Sequence, residues 1–398
     1  MRVCLLTLDF PPFRSSGLTI YAERIALGLA GRGHTVTVVT SSRPEHKRVD
    51  TVELPGTVSV VRVPIGRLDW IGFGWQAARY LRSHGADFDV VHFADVHFAY
   101  AYRGPFVASA FQSFRQRLAS HQGWPYHTNW RNFLFRLIYY NGARWIMERP
   151  SARHACHIIM PSVATQQEFI EHYGVDRAHT TLVHPGIDTH RFDRLPAQGE
   201  ARQRLGLPTD VPVLLYVGFS TPRKGVEYLA QALTKMKTLV VHLVMVGKWE
   251  PHYQERFLDE LGSTRSRVHI AGYVPDADLP AYFAAADVFV LPTLLEGFGI
   301  PLVEAMAAGL PVVTTTAGSA GEVAGDAGLA VPPGDSTALA FALDRVLAEP
   351  GLAHQLREVG RDRARMSFNE RRFAADIEAV YRHVQDGFFR EVGKPSGR

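Results

Sequence analysis

The sequence predicts two α/β domains in tandem, each a doubly wound parallel sheet covered by helices. Three observations predict it. At 398 residues the chain exceeds one ordinary α/β core and suits two. Short valine-rich apolar runs alternate with helical patterns from the first residues, as parallel strands joined by crossover helices do. The alternation breaks at a stretch rich in Pro, Gly and Asp, 185–188 to 207–210, and then begins again.

The first strand is expected at 3–8. A loop rich in Pro and Ser, ending in Ser16-Gly17, opens a helix to about Leu29, which Gly31 and Gly33 close ahead of a strand at 35–40. Further strands of this series are expected at 58–63, 90–93 and 157–160. The second series places strands at 213–217, 241–246, 268–271, 288–291 and 312–315. Beyond Ser336 the pattern is helical. A last helix at 369–384 is expected to pack back on the first domain, with a frayed tail from Gly393. The expected domains are therefore 1–187 and 188–368, with 369–398 as the closing segment.

Hydrophobic residues at 46% and charged residues at 21% describe a globular protein and exclude a disordered or fibrous one. The N-terminal apolar run is too short for a signal h-region and carries Asp9 where a small-residue cleavage site would stand. No window approaches the ~18 consecutive apolar residues that span a bilayer. Cys4 and Cys156 lie in apolar surroundings, which favours two buried thiols over a disulfide. A cytoplasmic protein is expected, with peripheral association at the inner face of the membrane left open.

The net charge of +4 is unevenly spread, since 20 of the 43 basic but only 14 of the 39 acidic residues fall in 1–190. Within 100–160, Arg103, Arg115, Arg117, Arg131, Arg136, Arg144, Arg149 and Arg153 stand against Glu148 alone. Between them lie aromatics such as Trp124, Tyr126, Trp130, Phe135, Tyr139 and Trp145. Such a stretch suits anionic lipid headgroups, each near-surface charge adding ~1 kcal/mol, and equally a pocket for an anionic ligand. The plainer alternative is a set of helices that bury their rings and solvate their arginines. Nucleic acid is not expected as a partner, because the positive charge is confined and no recognition module is present.

In a doubly wound sheet, ligands bind at the carboxyl ends of the strands, where helix N-termini offer N–H groups and partial positive charge. The first such loop ends at Gly17, which would let a phosphate approach the backbone, although a turn glycine needs no ligand. The loop after 213–217 begins with Gly218 and brings Arg223 and Lys224 to the start of a helix. Cations oppose the helix dipole there, so their placement suggests a nearby anion, the alternative being a solvated basic turn. The most specific stretch follows the strand at 288–291. Glu296 precedes the flexible turn Gly297-Phe298-Gly299, and a short helix begins at Ile300-Pro301, carries Glu304 one turn in and closes at Gly309. Two carboxylates flanking glycines suit a polyhydroxylated ligand bearing a phosphate, whereas Glu304 alone could simply favour the helix dipole. Asp87-Phe-Asp89 and Asp276-Ala-Asp278 match the Asp-x-Asp form of a metal-diphosphate site, but Asp276 reads as a helix N-cap and no His-x-x-x-His pair backed by a nearby carboxylate motif occurs. No metal or other cofactor is expected.

These segments together resemble the retaining GT-B glycosyltransferases, in particular glycosyltransferase family 4 (glycosyl transferases group 1). The resemblance is carried by Pro11-Pro12 to Gly17-Leu18, Gly31-Arg-Gly33-His34, Asp89-Val-Val-His92, His184-Pro-Gly186-Ile-Asp188, Gly218…Arg223-Lys224-Gly225, Glu296-Gly-Phe-Gly299…Glu304 and Glu322-Val-Ala-Gly-Asp-Ala-Gly. It implies two Rossmann-like domains facing a central cleft and a nucleotide-sugar donor. It further implies that Gly17 sits against the donor diphosphate, that Lys224 neutralises it, and that Glu296 hydrogen-bonds the sugar. The Phe298-Gly299 backbone would lie alongside, with Gly297 and Ile300 in the same donor-binding turn, and Glu304 would hold the ribose hydroxyls. Catalytic roles thus fall to Lys224, Arg223 and Glu296.

Three positions depart from the family pattern. Ser16-Gly17 stands where two glycines are usual, and Phe219 stands where an arginine is usual, with Arg223 a substitute. After a strand at 106–111, Gln112 replaces a histidine, and an amide cannot act as a base. His92 and His97 are the remaining acceptor-side candidates, although a histidine at the end of a buried strand is commonly structural. The resemblance implies front-face transfer in which the departing phosphate takes the acceptor proton. The expected activity is transfer of a hexose from GDP-mannose or a UDP-hexose to a glycan, lipid-linked or other anionic acceptor in cell-envelope polysaccharide or glycolipid synthesis. Alternatives are a GT-B epimerase or phosphorylase and a non-catalytic nucleotide-sugar-binding relative. A nucleotide-dependent oxidoreductase is disfavoured, since no Gly-x-Gly-x-x-Gly follows a strand with an acidic residue ~20 positions on.

Overall fold

A computed structural model describes residues 1–13, 17–42, 54–65, 69–120, 130–238 and 240–392. The chain divides into two compact units, one formed by Met1–Arg115, Phe135–Gly186 and the chain from Glu370, the other by Gln116–Leu134 and Ile187–Asn369.

The first unit holds seven strands: β1 (Arg2–Leu6), β2 (Thr35–Ser42), β3 (Val58–Pro64), β4 (Val90–Phe93), β5 (Val107–Ser109), β6 (His157–Met160) and β7 (Thr180–Leu182). All pair in parallel, in the order β3-β2-β1-β4-β5-β6-β7. β4, β5 and β6 are buried at every residue, as strands covered on both faces must be, which is why they read as apolar runs rather than alternations. Two expectations need correction. The strand at 106–111 shortens to Val107–Ser109, because beyond Ala110, whose N–H still reaches the Ile159 carbonyl at 3.1 Å, the chain turns into the helix Phe114–Ser120. β7 was not expected, since Thr-Thr-Leu offers too little apolar character to register. Of the two cysteines Cys4 is buried but Cys156 only partly so, and both are free thiols. Trp124, Tyr126, Ser16 and the tail from Gly393 lie outside the described residues.

The helix Glu370–Val392 packs on the helix Gly17–Ala30. Phe373, Ile377, Val380 and Tyr381 share one core cluster with Tyr21, Ile25 and Leu29. The axes approach closely at Gly28, where a Cβ would stand 2.6 Å from that of Ala374. Glu378, 5% exposed, anchors the same seam, accepting from Arg32 and from Arg382 at 2.5 Å and lying 3.4 Å from His34.

The second unit holds β8 (Val213–Val217), β9 (His242–Val246), β10 (Val268–Gly272), β11 (Val288–Leu291), β12 (Val312–Thr315) and β13 (Gly328–Val331), parallel and ordered β10-β9-β8-β11-β12-β13. β13, the edge strand Gly-Leu-Ala-Val, was not expected: it is as long as β11 and β12, but it is only partly buried and two of its four residues are small. The order reverses between β8 and β11, so the loops leaving those two strands flank the switch point where such sheets take ligands. The expected N-cap at Asp276 does not form. The helix Leu279–Ala285 begins after Asp278, which makes no side-chain cap and instead pairs with Arg204 at 2.8 Å. Among the described residues, no helix is long and apolar enough to cross a membrane.

Hydrogen bonds from Arg32 and Arg382 hold the Glu378 carboxyl well below its usual range, down to about 2. A depressed carboxyl contributes stability that is complete above its unfolded value of 4.5 and lost as pH falls through the folded one. Glu378→Gln is therefore expected to lower the unfolding free energy by about 1–3 kcal/mol at pH 7. In urea melts the gap between wild type and variant should shrink steadily below about pH 4.5; a gap that persists unchanged would contradict this account.

Candidate active site

The loop after β8 turns sharply and is laid against the end of β11. Pro222–Lys224 forms a single 3-10 turn, and Gly225 ends it in the left-handed region at φ 61°. A Cβ on Gly225 would stand 2.3 Å from the Pro292 carbonyl, so only glycine permits this approach. The Arg223 carbonyl then accepts from Leu294 N at 2.8 Å, Leu295 N at 3.3 Å and Thr293 Oγ1 at 3.2 Å, and the Arg223 guanidinium donates to the Leu295 carbonyl at 3.2 Å. The two loops flanking the switch point are thereby joined backbone to backbone.

The consequence is an ion pair. Lys224 and Glu296, 7% and 8% exposed, meet through Nζ and Oε2, and Glu296 Oε1 accepts from Gly297 N at 3.2 Å. The resemblance assigns one residue to the diphosphate and the other to the sugar; the structure brings the two together. Burial alone would raise the Glu296 carboxyl, but Lys224 and Arg223 outweigh it and hold the group below its ordinary range as a carboxylate. Burial pulls the Lys224 ammonium down, with Glu296 opposing and Arg223 assisting. A third loop, after β12, fixes Glu296 from behind. Its carbonyl accepts from Ser319 N and Oγ, both at 3.2 Å, and Gly318, at φ 58°, leaves no room for a Cβ, which would lie 2.3 Å from that oxygen. Gly318 and Ser319 were not singled out in the sequence, although a glycine and a hydroxyl at a strand's carboxyl end obey the placement rule used for the other loops.

Gly299, at φ 94°, begins the helix Ile300–Ala307 with Pro301 in its first turn. The Phe298 ring is buried against Phe368, 5.6 Å between centroids, so that residue offers the site only its backbone. Glu304, 8% exposed, lies 3.3 Å from the Arg191 guanidinium, which also donates to the Asp276 carbonyl at 2.8 Å. Arg191 sits in the short turn Thr189–Phe192, and its single charge among loop residues gave no sequence signal. The two carboxylates thus have separate cations, Lys224 and Arg191. Gly218 leaves β8 with its N–H on the Val246 carbonyl at 2.9 Å, and the following Phe219 is half exposed.

In the first unit Gly17 begins its helix. His92 is fully buried, with Nδ1 2.6 Å from the Tyr381 hydroxyl and Nε2 2.8 Å from Ser109 Oγ, and burial pushes it down to about 3, leaving it neutral. His97 contacts Asp95 through Nδ1 and Glu148 through Nε2 at 2.7 Å. Burial would lower it, but the two carboxylates raise it to about 9. Each ring has both nitrogens engaged, so neither presents one to an incoming hydroxyl. Glu148 also accepts from Phe114 N at 3.1 and 3.0 Å and from the Tyr173 hydroxyl, and Ser113 and Arg115 bind Glu168 at 2.6 and 2.5 Å. Two buried carboxylates therefore fix the loop on which Gln112, 9% exposed, is carried. Of the Asp-x-Asp pairs, Asp89 is bound by Arg2 N at 2.7 Å and Asp278 by Arg204. Among the described residues no group of three or more His, Cys, Asp or Glu could hold a metal ion.

Because Glu296 is buried against the Lys224 ammonium, Lys224→Met is expected to destabilise by about 3–5 kcal/mol. Adding Glu296→Leu should restore most of that loss. Chemical denaturation of both variants checks the coupling, and a double variant no better than the single one would refute it.

Residues 15–191 match the model of Glycosyltransferase Family 4, and residues 197–363 match that of Glycosyl transferases group 1. The GDP-mannose-dependent alpha-(1-6)-phosphatidylinositol monomannoside mannosyltransferase of Mycolicibacterium smegmatis is 31% identical, the alignment covering 90% of this chain and 92% of that one. The MMP alpha-(1->4)-mannosyltransferase of Mycolicibacterium hassiacum is also 31% identical, over 78% of this chain and 74% of that one. Among solved structures, sucrose-phosphate synthase from Thermosynechococcus elongatus shares the fold with a TM-score of 0.78 at 23% identity, covering 97% and 99% of the two chains. With both halves matched by these models and a 31% identical relative aligned over nine-tenths of both chains, the chain belongs to the GT-B glycosyltransferases of family 4, the glycosyl transferases group 1.

Proposed function

We propose that this glycosyltransferase moves a hexose from GDP-mannose or a UDP-hexose, with retention of anomeric configuration, onto a glycan, lipid-linked or other anionic acceptor in cell-envelope polysaccharide or glycolipid synthesis. The observation that carries the reading is the buried Lys224–Glu296 pair at the β8/β11 switch point, beside the N-terminus of the helix Ile300–Ala307. Relatives named as mannosyltransferases, one of them GDP-mannose-dependent, support the donor class.

In this reading Lys224 neutralises the leaving diphosphate, with Arg223 adding charge. Preorganised positive groups of this kind act where charge develops and are commonly the largest catalytic contribution. Glu296, held ionised, accepts hydrogen bonds from sugar hydroxyls, and the Gly297–Ile300 backbone lines the same turn. Glu304 accepts from the ribose, with Arg191 orienting its carboxylate. The bond from the anomeric carbon to the phosphate oxygen breaks as the acceptor oxygen bonds to the same face, and the acceptor proton passes to the departing phosphate. That route needs no protein base, in keeping with the engaged nitrogens of His92 and His97. Gln112 orients the acceptor-side hydroxyls by hydrogen bonding, and no metal takes part.

Thermal-shift screening against a panel of nucleotide sugars tests the donor. The true donor at about a hundredfold excess over its Kd should stabilise by about 2.7 kcal/mol; no stabilisation by any nucleotide sugar would overturn the reading. In calorimetry Glu304→Ala is expected to abolish donor binding and, because it also leaves Arg191 without this carboxylate, to lower the melting temperature. Turnover should be unchanged by EDTA, and the product should keep the donor's anomeric configuration.

A further inference from the structure

The helix Trp130–Ala143 runs on through a π-turn, Arg144–Glu148, into Arg149–His154. In the first unit its inner side is thin, with Ala143 and Met147 buried against Phe114. Its outer side is apolar where a soluble surface would be polar: Phe135, Ile138, Trp145 and Ile146 are 67%, 65%, 52% and 74% exposed. Ile138 and Trp145 are seven residues apart and so share one face, with Phe135 and Ile146 flanking it. Exposed apolar side chains in such a group mark an interaction surface.

The charges say what kind. The Arg144 and Arg149 guanidinium groups lie 5.2 and 4.7 Å from the centroid of the Trp145 ring, and the exposed Arg153 follows one turn on. The one acidic residue between 100 and 160, Glu148, points inward to His97, Phe114 N and Tyr173. Arg144, Arg149 and Arg153 thus give this segment a surplus of positive charge at its surface, with Glu171 on the adjoining helix an exposed carboxylate. Rings at the level of guanidinium groups match the boundary between headgroups and acyl chains, where indoles settle and arginines reach phosphates. We propose that this face docks the protein onto a bilayer surface containing anionic lipid. The proposal deepens the reading of a lipid-linked or anionic acceptor and rests on it for its purpose, though not for its test.

Co-sedimentation with phosphatidylcholine vesicles, with and without phosphatidylglycerol, provides that test. Wild type is expected to partition at least about tenfold more strongly onto the anionic vesicles, and less so as salt rises. Ile138→Glu/Ile146→Glu should reduce binding about tenfold or more. Both positions are exposed, and circular dichroism confirms folding; Trp145→Ala provides a second, milder variant expected to weaken binding in the same direction. Equal partition onto the two vesicle types, or binding indifferent to these substitutions, would overturn the proposal. So would a dimer in sedimentation equilibrium that the double variant abolishes, since the face would then belong to a second copy. Nucleotide-sugar thermal shifts on the same variants report the donor site separately, so loss of vesicle binding and loss of donor binding are distinguishable.

Discussion

The ion pair of Lys224 and Glu296 is the constraint around which the second unit is arranged. Two charges taken out of water cost several kcal/mol each unless geometry and further hydrogen bonds compensate. Here the compensation comes from three loops. The one after β8 brings Lys224 and Arg223, the one after β11 brings Glu296 and the Gly297 N–H, and the one after β12 grips the Glu296 carbonyl through Ser319. Gly225 and Gly318 allow those loops to approach within distances that any Cβ would forbid. A pair so held is fixed by the fold of three loops and depends on no ligand for its geometry.

The first unit solves a related problem differently. His97 is kept charged by placing it between Asp95 and Glu148, while His92 is kept neutral between two hydroxyls. Two histidines five residues apart thus have opposite protonation: burial leaves His92 neutral, and the two carboxylates overcome the same burial at His97. Their common effect is rigidity. Glu148 binds the N–H that starts the helix Phe114–Ser120, and Ser109, which contacts His92, also contacts Tyr21 at 2.7 Å, so β4, β5 and the first helix are tied by one hydroxyl.

Much of this was legible in the sequence, and the limits are physical. The strands at 90–93, 157–160, 213–217, 288–291 and 312–315 stand where their apolar runs place them, because a parallel strand covered on both faces must be continuously apolar. The edge strands β7 and β13, little patterned, left no such trace. Glu296, Lys224 and Glu304 stood out because glycines and helix starts surround them. That Lys224 and Glu296, 72 residues apart, form a pair was not legible, because partner choice depends on how two loops cross. The same holds for Arg191 beside Glu304 and for Glu148, whose acidic character was visible but whose inward aim was not. The basic aromatic stretch was legible as composition only; which of its rings face out required the helix phase across the π-turn.

That π-turn has one more consequence. Within five residues the same backbone carries Trp145 and Ile146 outward and Glu148 inward, and the Glu148 carboxylate grips the N–H of Phe114, two residues from Gln112. A π-turn widens the ring of the α-helix on either side, and this local change of phase lets one short segment line both the surface and the interior of the unit.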